Sequence, residues 1–149
     1  MKSIFNTDNN AEIINRINQL TPMSPAQWGS MTSAQMMAHC QLAMNMAFGN
    51  TKTSRHWIGI VFGGIGKRRQ LKVKQLDRHI PTFIALKVTD DRDFETEKQK
   101  FILLIQFALE KGEAGLVKYP HPYFGTFRSG EWAQLNWKHL DHHLRQFGV

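Results

Sequence analysis

Two histidines near the C-terminus, His139 and His143, have the type and the spacing to hold a metal ion. On a helix, an i, i+4 pair points two imidazoles the same way, roughly 6 Å apart. Two neutral imidazoles so placed can share one divalent cation, as in the helical His-Glu-x-x-His zinc motif. The pair also interrupts an apolar stripe. Trp132, Leu135, Asn136, His139, His143 and Gln146 follow 3–4 spacing. The imidazoles therefore sit where core residues would otherwise be. A buried imidazole needs a partner, and a metal is one. Hydrogen bonds from two core histidines to backbone, or a solvated helix end, are the other ways to satisfy the pattern.

A catalytic zinc-type site takes three protein ligands and keeps a position open. His39 is the natural third. It is the only histidine in the second helical segment and lies at its midpoint, beside the apolar stripe. His56, His79 and His121 fall in expected loops and are weaker candidates. His142 is about 100° around the helix from His143 and is expected to face away. Asp141 lies two positions from both ligands and is expected to point elsewhere, so no general base stands beside the pair. Gln146 and Gln35, each one turn from a candidate ligand, are possible orienting partners. His121 could line the mouth of the site or organise its own loop. Cys40 follows His39 directly and reads as a buried structural cysteine.

These residues need elements to position them. The first helical pattern runs from about Asn9 to Leu20, with Ile13, Ile14, Ile17 and Leu20 on one face. Thr21 to Pro25 forms a turn. The second begins near Thr32, where Thr32 and Gln35 make a capping-box pattern, and stops at Gly49-Asn50. A third runs from about Asp93 to Lys111, with Asp93 as N-cap and Gly112 as stop. The fourth starts at Ser129 as its cap and runs to about Phe147. Between the second and third, Thr51 to Asp91 reads as a long crossover. Its Trp57–Gly66 stretch is apolar and glycine-rich, and suits a short helix followed by a loop. Neither phosphate-binding glycine pattern fits there: Val61 and Arg68 break one, Arg69 the other. Four amphipathic helices, one crossover and no convincing strand pair predict an all-α four-helix bundle in a single domain spanning 1–149.

Bulk properties agree. A chain of 149 residues can build one real core. Its 42% apolar and 21% charged content is ordinary for a soluble globular protein. No stretch reaches ~18 apolar residues, so no membrane partner is expected. One cysteine excludes an internal disulfide and, with no signal-peptide run at the start, fits a cytoplasmic protein. The net charge of +7 is concentrated in Lys67, Arg68, Arg69, Lys72, Lys74 and Arg78. Without stacking aromatics this segment reads as a solvated basic loop rather than a nucleic-acid site.

The residues also carry a family likeness. Met36-Met37-Ala38-His39 with His139-x-x-x-His143-x-x-Gln146 resembles the DinB/YfiT-like superfamily. Trp28-Gly29-x-Met31-Thr32-x-x-Gln35-Met36-x-x-His39, His121-Pro122-x-Phe124-Gly125, and Glu131-Trp132 through His139, His142, His143, Gln146, Phe147 and Gly148 resemble one of its uncharacterised-domain subfamilies. The likeness covers nearly the whole chain from Trp28 onward. It implies a four-helix bundle with a solvent-open metal site held by His39, His139 and His143. It also implies a divalent metal, zinc or nickel first and iron or manganese next, and often a homodimer. Characterised relatives are thiol S-transferases or a thiol-dependent isomerase, so a small-molecule substrate and a low-molecular-weight thiol are implied partners. The superfamily's common His-Arg-Gly-Gln ending reads His143-Leu144-Arg145-Gln146 here, which leaves the metal pair intact but not a substrate role for Arg145. A hydrolase on a small electrophile and a non-enzymatic binding or sensing module are the competing functions.

Overall fold

Helix starts are written into side chains that accept the first free backbone N–H groups. Asn6 accepts from the Asn9 amide at 3.0 Å and opens α1, Thr7–Gln19. Thr32 accepts from Gln35 N while Gln35 accepts from Thr32 N, the reciprocal box expected there, and opens α2, Ser33–Ala47. His56 precedes α3, Trp57–Lys72. Asp93 accepts from Thr96 N at 2.8 Å and opens α4, Phe94–Lys111, which ends at Gly112 with φ 59°. The last helix, α5, spans Ser129–Gln146. Its cap differs from expectation. Arg128 holds the capping position, and the Glu131 carboxylate accepts from Arg128 N at 2.8 Å.

This computed structural model describes residues 2–51, 56–78, 82–116 and 119–149. Among them the fold is all-α: five α-helices, two short 3-10 turns at Ile84–Leu86 and Glu113–Gly115, and no strand. No helix is long and apolar enough to cross a membrane.

The core forms where α2 packs on α4 and α5, and α1 on α4 and α5. Ile13 and Ile17 of α1 meet Met36, Met37 and Met44 of α2, Phe101 and Ile105 of α4, and Leu140 and Leu144 of α5. Each of these side chains is fully buried. Burying a side chain of this size stabilises by about 1.5–3 kcal/mol relative to leaving it in water.

The crossover departs most from expectation. Helix α3 is continuous to Lys72, so Lys67, Arg68, Arg69 and Lys72 are helical rather than part of a loop. Two of the glycines that suggest a loop are what let the helix pack closely here. Gly59 and Gly63 face the backbone of 122–124. A Cβ at Gly59 would lie 2.6 Å from the Pro122 carbonyl oxygen, and one at Gly63 would overlap that of Tyr123. Backbone meets backbone only because no side chain intervenes. The large residues Trp57, Ile60, Val61, Phe62 and Ile65 point outward into solvent. At the other end, buried Lys138 of α5 donates from Nζ to the carbonyls of Gln70 (3.0 Å), Leu71 (2.9 Å) and Val73 (2.6 Å). An ammonium satisfying the last carbonyls of a helix also complements its dipole.

Candidate metal centre

The site lies where α2 and α5 cross beneath the 3-10 turn at Ile84–Leu86. His39 projects from α2, and His139 and His143 from successive turns of α5. One ring nitrogen from each, three in all, lie within 4.8 Å of one another. His39 Nε2 is 3.1 Å from His139 Nε2. The edge of a tetrahedron built on Zn–N bonds of ~2.05 Å is about 3.3 Å, so that pair is already close to sharing an ion. Among the described residues no fourth histidine, cysteine or carboxylate joins the group.

Two of the three rings have their tautomer fixed. The Leu86 carbonyl accepts from His39 Nδ1 at 2.8 Å. The Gln146 Oε1 accepts from His143 Nδ1 at 2.8 Å. A carbonyl oxygen can only accept, so each Nδ1 carries the proton and each Nε2 keeps its lone pair. Gln146 is itself oriented, since its Nε2 donates to the Trp28 carbonyl at 2.5 Å.

Burial keeps the three rings neutral. It lowers the pKa of His39, against a smaller opposing effect from the Leu86 hydrogen bond. It holds His139 well below the usual histidine range, reinforced by His143 and His39 beside it. It pushes His143 down to about 3, reinforced by His39 and opposed by Gln146. Three neutral imidazoles with free nitrogens form a donor set suited to a divalent cation.

The other candidates are placed as follows. Gln35 does not reach His39; its amide serves Thr32 and the Asp90 carbonyl (3.1 Å). Asp141 turns away, to Arg16 (2.8 Å) and Arg145 (2.9 Å). Arg145 also reaches Gln75 at 3.0 Å. Cys40 is buried with its sulfur 3.7 Å from that of Met36, and burial raises its pKa. His56 is exposed at the start of α3 and stacks on Tyr123. His79 lies outside the described residues. His142 departs from expectation: it is buried, its ring centroid 5.0 Å from that of His143 and 5.5 Å from that of Trp28. The reason is that α5 is enclosed almost all round. Facing away from the core still means facing protein.

Beside His39 and His139 lies a cavity of about 130 Å³. Its walls include Met46, Phe83, Leu86, Phe124, Trp132 and Leu135, together with His121, Asn136 and His142. His121 also organises its loop, its Nδ1 accepting from the amides of Tyr123 and Phe124, each at 3.2 Å. A second hollow, of about 320 Å³, lies at His143, Gln146, Trp28 and Lys87 and shares Thr82, Leu86 and His142 with the first. The Leu86 carbonyl and the Phe83 ring were invisible in the sequence, because they come from an irregular segment without a periodic pattern. His121, read from the sequence as a possible liner of the site mouth, does line the cavity, as does Asn136 of the α5 stripe.

A model of the family described as a protein of unknown function (DUF1569) matches residues 2–148. Searches of curated proteins and of solved structures give no match.

Proposed function

This chain belongs to the DUF1569 family, and we propose that it is a metal-dependent enzyme acting on a small molecule, with His39, His139 and His143 as ligands. The carrying observation is the fixed pair of tautomers: Leu86 and Gln146 hold the protons of His39 and His143 on Nδ1, leaving Nε2 free. A divalent cation on three neutral imidazoles keeps positive charge and an open position, and lowers the pKa of a bound water or thiol. Zinc or nickel suits the donor set best, with iron and manganese as weaker fits.

The residues around it favour thiol S-transfer over hydrolysis. No carboxylate lines the cavity among the described residues, so no side chain stands ready to take a proton from water. A thiol ionises far more readily and needs less help. The hollow at His143 and Lys87 offers room for a polar thiol, and the cavity at His39 offers room for the other reactant. Membership of the DinB/YfiT-like superfamily is part of this reading, supported by the packing of α1, α2, α4 and α5 around helix-borne histidines. So are a homodimer, for which the outward apolar face of α3 is a suitable surface, and a cytoplasmic location.

A non-enzymatic metal-binding or sensing module is the alternative, and the adjoining cavity weighs against it. Elemental analysis of protein purified without a histidine tag, wild type beside His139→Ala, tests the metal. Near-stoichiometric metal lost in a folded variant supports the reading. Equal metal in both, or none in either after reconstitution, overturns it.

A further inference from the structure

The cavity beside the triad has a chemistry of its own. We infer that it binds an uncharged molecule whose body is the size of a single aromatic ring and which carries a hydrogen-bond acceptor for His121 Nε2–H. The inference rests on the metal reading only in taking that molecule to be the substrate.

Size comes first. The cavity is about 130 Å³, and an apolar cavity of about 150 Å³ is enough to take benzene. The wall suits a ring. Phe124 stacks on His121 with centroids 4.7 Å apart, Phe83 meets His121 edge-on at 5.2 Å, and Trp132 lies tilted against His121 at 5.7 Å. Ring faces and edges at these angles are what a further ring packs against.

Charge comes next. Among the described lining residues there is no Asp, Glu, Lys or Arg. With the three histidines free of metal, a carboxylate or ammonium entering would shed its water with no counter-ion to replace it, which strongly disfavours it.

Polarity is set by one ring. The backbone amides of Tyr123 and Phe124 both donate to His121 Nδ1. The proton of a neutral His121 therefore sits on Nε2. Burial keeps the ring neutral, with its pKa pushed down to about 3. No described residue partners Nε2, and it is not among the sealed, unpartnered polar atoms. It is a donor held in the wall and unable to turn, because its other nitrogen is pinned. Asn136 adds an acceptor, since its Nδ2 is committed to the Trp132 carbonyl at 2.9 Å. An alcohol or amide on a ring satisfies both.

The test is a near-isosteric series: benzyl alcohol, benzoate and benzylamine. Binding is read by ligand-observed NMR on protein as purified and on His143→Ala. That variant breaks the ligand set without changing the described cavity wall. Benzyl alcohol is expected to bind both proteins, and to bind metal-free His143→Ala at least tenfold more tightly than benzoate or benzylamine does. Ala43→Leu, which fills the wall, is expected to weaken it at least tenfold in protein that circular dichroism shows to be folded. Should that variant fail to fold, intermolecular NOEs between benzyl alcohol and Trp132 in wild type place the ligand. Benzoate or benzylamine matching benzyl alcohol in His143→Ala overturns the inference. So does absence of benzyl alcohol binding, indifference to Ala43→Leu, or NOEs that avoid Trp132. Metal content is measured separately, so either reading can fail without the other.

Discussion

Gln146 holds His143 at a fixed tautomer, its Oε1 2.8 Å from Nδ1, and is itself fixed by donating to the Trp28 carbonyl. One amide thus ties α5 to the chain before α2. Partners of this kind fix the orientation of a metal-binding imidazole and raise its basicity. Gln146→Leu is expected to lower metal affinity about 10–100-fold. Gln146→Glu keeps an acceptor for His143 and should lose less. Competition with a coloured chelator reads both, and an unchanged affinity in the leucine variant would remove this role.

Acid should unfold the metal-free protein early. Burial pushes His121 and His143 down to about 3, while an unfolded histidine titrates near ~6.5. Above that pH both states are neutral and stability does not depend on these protons. Below it the unfolded chain takes up protons that the folded chain refuses, so stability falls as pH falls. The slope is about 1.4 kcal/mol per pH unit for each ring, or about 2.7 for the pair. His39, His139 and His142 are lowered too and act in the same direction. Against a total of about 5–15 kcal/mol for a domain, this is decisive. The thermal midpoint should be flat from pH 8 to 7 and drop steeply below 6.5. A midpoint unchanged between pH 7 and 5 would show the rings to be accessible to protons.

Two neighbouring glycines of α3 should respond oppositely to one methyl group. At Gly63 a Cβ would overlap the Tyr123 carbonyl oxygen; at Gly64 it would meet nothing within 4 Å. Gly63→Ala is expected to destabilise by about 1–3 kcal/mol through overpacking. Gly64→Ala should stabilise by about 0.5–1 kcal/mol through helix propensity. Urea unfolding separates the two, and equal effects would mean that α3 does not rest on the 122–124 backbone.

The helices that carry the histidines were legible because their patterns are local. The Thr32–Gln35 box, the Asp93 cap and the Gly112 stop each appear where the sequence puts them. His139 and His143 were legible as polar interruptions of an apolar stripe, and His39 as the lone histidine at the midpoint of its helix, beside the stripe. Helix α3 was legible only in its first half, as a short helix from Trp57; its continuation to Lys72 was not, because its glycines answer to a loop distant in sequence and its large residues face out. For the same reason His142 was misplaced: periodicity tells which side of a helix is which, but not that α5 is covered on both. The Leu86 carbonyl is a backbone atom, and no residue type announces it.

Lys138 and His139 are adjacent on α5, and their side chains go to different neighbours: the carbonyls ending α3, and the triad. Turning α5 by one residue about its axis would offer an ammonium to the histidines and an imidazole to the carbonyls. A cation would then repel any metal, while a ring nitrogen could serve at most one of three acceptors. The lysine acts as a key that admits a single rotational setting of the helix. A one-residue insertion or deletion between Ser129 and Lys138 therefore cannot be absorbed by letting the whole helix slip.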